Sequence, residues 1–265
     1  MQYLNYIKQI SKGNVNEATC SYCGYKQELN SYFCTFCEIG KDVAKTSTID
    51  ATTLAQLTEV HNAIIAEDLE KAEEKLDALA SKAANPYLLY VIGMLFKQIS
   101  DIAYFGVDYT LKGFMPENAE TREKSLRMEA KSKEFFYKAI YAAESVPEPK
   151  EGQLLFIEFL SYLHLDRFPE AKNLLDKIPE DNKKTKEYAE MAYAVETNSK
   201  QAEKAIEAML KENEPNAFYY LAKYLAKNQK ANEAERVLKE IEKVVKLPIA
   251  YRLKKNIEFA RVNYE

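Results

Sequence analysis

The stretch NAFYYLAKYLAKNQKANEAERVL, from Asn216 to Leu238, decides the fold. Phe218, Leu221, Ala222 and Leu225 recur at i, i+3, i+4 and i+7, which is one apolar face of a helix. A polar break at Asn228, Gln229 and Lys230 follows, and a second run carries Ala234 and Leu238. The small residue at Ala222 lets two helices approach closely. Two short amphipathic helices around a polar break form a hairpin, and such a hairpin needs neighbours to bury its apolar face.

Outward from this stretch the same pattern returns. DLEKAEEKL at 68–76, RFPEAKNLL at 167–175 and SKQAEKAI at 199–206 match ANEAERVL at 231–238. The shared alanines are Ala72, Ala171, Ala202 and Ala234, the last three spaced 31 and 32 residues apart. Pro149, Pro179, Pro215 and Pro248 stand near the expected start of each new helix pair. The chain here resembles the tetratricopeptide-repeat (TPR) family, with a period of about 34 residues. The Leu155–Ile178 repeat departs from that pattern with Phe159 where a small residue is expected, and the Lys184–Leu210 repeat with Glu190. The resemblance implies a mostly α fold, a TPR-like α-solenoid of helical hairpins over 54–265, closed by a capping helix from Pro248 to Tyr264. It places Asn216, Tyr219, Lys223 and Lys227 on a partner-binding groove, with Lys184, Glu187 and Met191 one repeat earlier, then Gln153, Phe156 and Leu160. An elongated hairpin at 86–146 exceeds the repeat length and offers a surface for an oligomer.

All four cysteines fall in CSYCGYKQELNSYFCTFC: Cys20, Cys23, Cys34 and Cys37. Thiolates at i and i+3 on a tight turn supply two adjacent corners of a tetrahedron, and two such turns complete a zinc shell. Gly24 follows the first pair, where a knuckle often needs a positive φ; Gly40 follows the second at a looser distance. Two disulfides or buried thiols are the competing readings, and paired CxxC turns in an intracellular chain argue against both. Four thiolates close the shell, so the expected Zn2+ is structural. The two turns are expected to be joined by a short hairpin, and residues 18–40 resemble the short N-terminal zinc ribbons that precede other domains, which implies the four cysteines as metal ligands and nothing further. The expected domains are 1–40, a ribbon with an N-terminal extension; 41–53, a linker; and 54–265, the repeats. Thr52 or Thr53 is the expected cap of the first repeat helix.

Composition narrows the function. The 265 residues are 47% hydrophobic and 29% charged with net charge −4, and residues 1–50 hold five lysines against five acidic residues. Nothing there suggests phosphate-backbone binding, although Tyr22, Tyr25, Tyr32, Phe33 and Phe36 have the aromatic character that stacks on bases. No uninterrupted apolar stretch reaches the ~18 residues a membrane span needs, and the most apolar run is Pro86–Phe96. His61, expected at the surface or groove, and His164, expected at a helix end, lie far apart with no nucleophile motif. The chain therefore reads as a cytoplasmic, non-catalytic scaffold for a protein or peptide partner. An RNA- or ribosome-associated factor acting through the ribbon is the alternative.

Overall fold

The computed structural model describes residues 3–12, 18–27, 31–41, 49–105 and 119–262. Among them the chain is mostly helical, with twelve α-helices and one two-stranded sheet. Most of the expected 41–53 linker, at 42–48, and the 106–118 connection of the long hairpin lie outside the described residues. Two compact units emerge: one takes the described residues within 1–20, 26–44 and 151–265, the other those within 21–25 and 45–150.

In the first unit, α1 (Tyr3–Lys12) packs on α9 and α11 through a face that includes the buried Ile7 and Ile10. Strands β1 (Ala18–Thr19) and β2 (Lys26–Gln27) pair antiparallel, Ala18 opposite Gln27. Then come α6 (Gly152–His164), α7 (Phe168–Leu175), α8 (Lys183–Glu196), α9 (Ala202–Lys211), α10 (Asn216–Lys227) and α11 (Ala231–Glu242). Consecutive members fold back as the pairs α6–α7, α8–α9 and α10–α11, while α6 packs on α8 and α8 on α10. The final helix, α12 (Tyr251–Val262), packs on α11.

The second unit opens its helical part with α2 (Ala51–Ile65) and α3 (Leu69–Ala80), then α4 (Pro86–Phe105) and α5 (Ala119–Glu144). The cap of α2 is Asp50, not Thr52 or Thr53. Its carboxylate accepts from Thr53 N at 2.9 Å and Thr53 Oγ1 at 2.6 Å, because a carboxylate reaches two donors where a threonine offers one acceptor. At 20 residues, α4 outruns the Pro86–Phe96 stretch and has the length and hydropathy of a membrane span, yet 72% of that window is buried inside the protein. It packs along α5. Ser100 and Ser125 exchange hydroxyl-to-carbonyl bonds, Ser132 donates to the Gly93 carbonyl, and the Phe136 ring lies so close over Gly93 that a Cβ would sit 2.9 Å from it. Glu73 of α3 draws Arg127 and Lys131 of α5.

The four shared alanines all open the second helix of a pair, α3, α7, α9 or α11, and all are fully buried. Each pair turns through a residue in the left-handed region: Glu67, Asp166, Asn198 and Gln229. The following amide reaches back to the helix, Asp68 N to Ala63 O at 3.0 Å, Arg167 N to Tyr162 O at 2.9 Å, Ser199 N to Ala194 O at 2.8 Å and Lys230 N to Leu225 O at 2.9 Å. The end of α9 repeats it, with Asn213 left-handed and Glu214 N on Met209 O at 3.1 Å, so one helix-ending motif is used five times among the described residues, each time without glycine.

Candidate metal centre

Cys34 to Gly40 form a tight knuckle. Cys34 N donates to Ile39 O at 3.0 Å, Glu38 N to Cys34 O at 3.0 Å and Phe36 N to Cys34 Sγ at 3.4 Å, while Phe33 bridges Gly40 antiparallel. The first knuckle places Gly24 at φ +70°, as expected. Its counterpart after the second pair is not Gly40 but Glu38, at φ +62°. The four cysteines are buried, and their sulfurs lie within 4.8 Å of one another. Cys20 Sγ and Cys37 Sγ are 3.8 Å apart, too far for a disulfide bond of about 2.05 Å. That separation matches the ~3.8 Å edge of a tetrahedron with metal–sulfur bonds of ~2.3 Å. The donor set is four soft sulfurs with an amide N–H on one of them, and it fits a zinc ion held as thiolates.

The knuckle is seated on α6, α8 and α10. Phe33 is fully buried, its ring 4.1 Å from that of Tyr188 and 5.9 Å from that of Phe156. Asn216 Nδ2 donates to Cys34 O at 3.0 Å. Glu38, 2% exposed, sends its carboxylate between the helices. Tyr188 and Tyr220 donate their hydroxyls to its Oε1 at 2.8 and 2.6 Å, and His164 Nε2 stands 3.8 Å from Oε2. Burial first, and the Glu38 charge second, push both phenols well above their ordinary range, so both remain donors.

Beside this lies Glu214, 3% exposed. Its Oε1 lies 2.8 Å from Ser31 Oγ and its Oε2 accepts from Phe33 N at 3.3 Å, and burial pushes its carboxyl up to about 7 against those contacts. A cavity of about 290 Å³ opens here among Tyr32, Lys184, Glu187, Met209 and Glu214.

Of the residues assigned to a partner groove, Asn216 is spent on the Cys34 carbonyl. Tyr219 packs edge-on to Tyr220, and burial pushes its hydroxyl up to about 12. Lys223 and Lys227 both bond Glu196, one turn-end away on α8. Burial opposes the Lys223 charge, but Tyr219 and Glu196 outweigh it and raise its pKa. One repeat earlier, counted from the turn residues, the positions level with Asn216 and Tyr219 are Thr185 and Tyr188, both fully buried, rather than Lys184 and Glu187. Thr185 accepts from Gln153 Nε2 at 2.9 Å, which joins α8 to α6. His61 is not at the surface: it is 4% exposed, its ring 5.3 Å from Tyr25. His164 does end α6, as expected.

Sequence reading passed over Glu38, Glu214, Tyr188 and Tyr220. Only Glu38 left a trace, as a charged residue where the first knuckle has glycine. No protein family, no curated protein and no solved structure matches this chain.

Proposed function

We propose that this chain is a non-catalytic protein-interaction scaffold: a TPR-like array of helical hairpins carrying one structural zinc ion on Cys20, Cys23, Cys34 and Cys37. The observation that carries the reading is the pairing of four buried, mutually close sulfurs with repeated helix pairs whose first helices stack on one another. A closed thiolate shell holds shape and leaves no position for substrate. Hairpins stacked in register build an extended surface, which is what such arrays offer to partners.

The ribbon's aromatics favour protein over nucleic acid as the partner. Tyr22, Tyr25, Phe33 and Phe36 are all buried, and Tyr22 stacks on Tyr87. Rings used as core are not free to stack on bases. Apolar side chains do open outward on α5, where Leu126 is 58% and Tyr141 64% exposed, with Tyr137 one turn before Tyr141. Tyrosine is enriched among the residues that carry binding energy in protein interfaces, and this face presents two of them with Leu126.

Two measurements test this. Metal analysis of the purified chain is expected to give one zinc per chain, lost on Cys34→Ser, Cys37→Ser. Crosslinking capture is expected to recover a protein partner with the intact chain and to lose it with Tyr137→Glu, Tyr141→Glu at unchanged helical circular dichroism. Turnover of a small molecule by a chain that captures no protein would overturn the reading.

A further inference from the structure

Position 38 is occupied at a cost. A left-handed backbone costs an L-residue about 1–2 kcal/mol that glycine avoids, and the first knuckle avoids it with Gly24. The side chain that incurs it is a carboxylate taken out of water and met by donors from helices that share no turn, Tyr188 of α8 and Tyr220 of α10, with His164 of α6 nearby. Phe33, at the other edge of the knuckle, fills an aromatic slot between Phe156 and Tyr188. Asn216 reads the backbone between them. A face that takes an aromatic ring, a carbonyl and a carboxylate at fixed separations is a recognition surface already holding a ligand. The ligand is itself fragile, because among the described residues the knuckle's own framework is one bridge and a few amide bonds. Its shape therefore depends on what holds Cys34 and Cys37.

We propose that the face formed by α6, α8 and α10 is a docking surface for an acidic, aromatic peptide segment, and that residues 31–40 occupy it in cis only while metal shapes the knuckle. Metal loss withdraws Phe33 and Glu38 and frees Tyr188, Tyr220 and Asn216 for a segment of the form aromatic-x4-acidic from outside. This rests on the four-cysteine metal reading above.

The chain has no tryptophan, so Tyr32→Trp, beside Phe33 and under Lys184, places one reporter at the plug. The full-length variant is loaded with zinc, and a chelating dye records metal release while tryptophan emission and helical circular dichroism are followed. A dye-labelled peptide of residues 31–41 with serine at 34 and 37 is the external probe. The expected result is a red shift of emission as metal leaves, with helical signal retained. The peptide then binds the metal-free chain only, about tenfold more weakly when it carries Glu38→Gln. Metal release without an emission shift overturns the proposal. So does loss of helix together with metal, or a shift followed by no Glu38-dependent peptide binding. A chain that holds no metal at all overturns the metal reading instead, and is told apart by the dye.

Discussion

Ser31 Oγ lies 2.5 Å from the Phe33 carbonyl oxygen and 2.8 Å from Glu214 Oε1, and its single proton cannot bridge both. A protonated Glu214 supplies the missing hydrogen, in accord with the rise of its carboxyl to about 7 by burial. Its unfolded value is near 4.5, so between about pH 4.5 and 7 the folded state binds the proton that the unfolded state has lost. Stability from this group is present below the unfolded value and falls as pH rises through the folded one. Glu214→Gln keeps a donor at every pH. Its unfolding free energy relative to the parent chain should therefore rise, to greater stability, by about 2–3 kcal/mol between pH 5 and pH 8. An offset that stays constant in urea denaturation at the two pH values would show that Glu214 titrates as an ordinary carboxyl. Glu38 gives a second residue-scale test, since backbone and side chain oppose each other there. Glu38→Ala leaves the Tyr188 and Tyr220 hydroxyls buried without their acceptor and should cost about 2–3 kcal/mol. Glu38→Gly loses the same acceptor but relaxes the left-handed backbone and should cost about 1 kcal/mol less than alanine. The same denaturation measurement orders the two, and alanine being the milder change would refute the strain argument.

Among elements, the helix-ending turns explain both what the sequence made legible and where its reading slipped. The alanines that open α3, α7, α9 and α11 stood out because a tight helix pair admits little else at the crossing. Glu67, Asp166, Asn198 and Gln229 did not stand out, because a left-handed turn residue is usually read from glycine and none is there. Ala202 follows Asn198 one residue sooner than Ala72, Ala171 and Ala234 follow their own turn residues. Counting back from the alanine therefore put Glu190 at the crossing, where counting from the turn puts the fully buried Met191. The same slip put Lys184 and Glu187, in place of Thr185 and Tyr188, level with Asn216 and Tyr219 of the next repeat. Phe159, full-sized at the matching position of α6, is buried completely, so the position demands an apolar side chain and not a small one. The cysteine cluster was readable because it is local, two C-x2-C turns within eighteen residues. The seat of the knuckle was not, because Glu38 and Tyr220 lie 182 residues apart. The first knuckle offers the sharper element-scale prediction. A Cβ on Gly24 would stand 2.6 Å from Thr58 Oγ1 and 3.0 Å from the Leu54 carbonyl of α2, at φ +70°. Gly24→Ala should cost the backbone strain of about 1–2 kcal/mol plus that clash, lowering the thermal midpoint and speeding metal loss to a chelator. Thr58→Ala alongside it removes the nearer of the two atoms and should restore part of the loss; no restoration would assign the whole effect to φ.

For the whole molecule, charge and hydropathy are distributed rather than concentrated. The hydropathy that gives α4 the look of a membrane span is the hydropathy of a core helix, since its buried face runs from Tyr87 through Tyr90, Leu95 and Ile99 to Phe105. A sequence window cannot separate the two, because burial against α5 and immersion in lipid ask for the same residues. Charge is equally spread: 37 basic against 41 acidic residues, with many lysines engaged by a glutamate or aspartate, several of them one turn away. A nucleic-acid-binding surface needs cations that are not already neutralised, because its affinity comes from releasing counterions from phosphate. The four-cysteine segment brings no surplus of its own, and on the metal reading proposed above four thiolates around a dication would leave its centre anionic. Binding of the full chain to single-stranded RNA should therefore be weak even at low salt, with a log–log salt slope shallower than about −1, where each neutralised phosphate contributes about −0.7. Filter binding across a salt series measures this directly. A slope of about −3 or steeper would mean that four or more cations converge on one face, against the pairing described above. It would favour the alternative reading, in which the four-cysteine segment meets RNA.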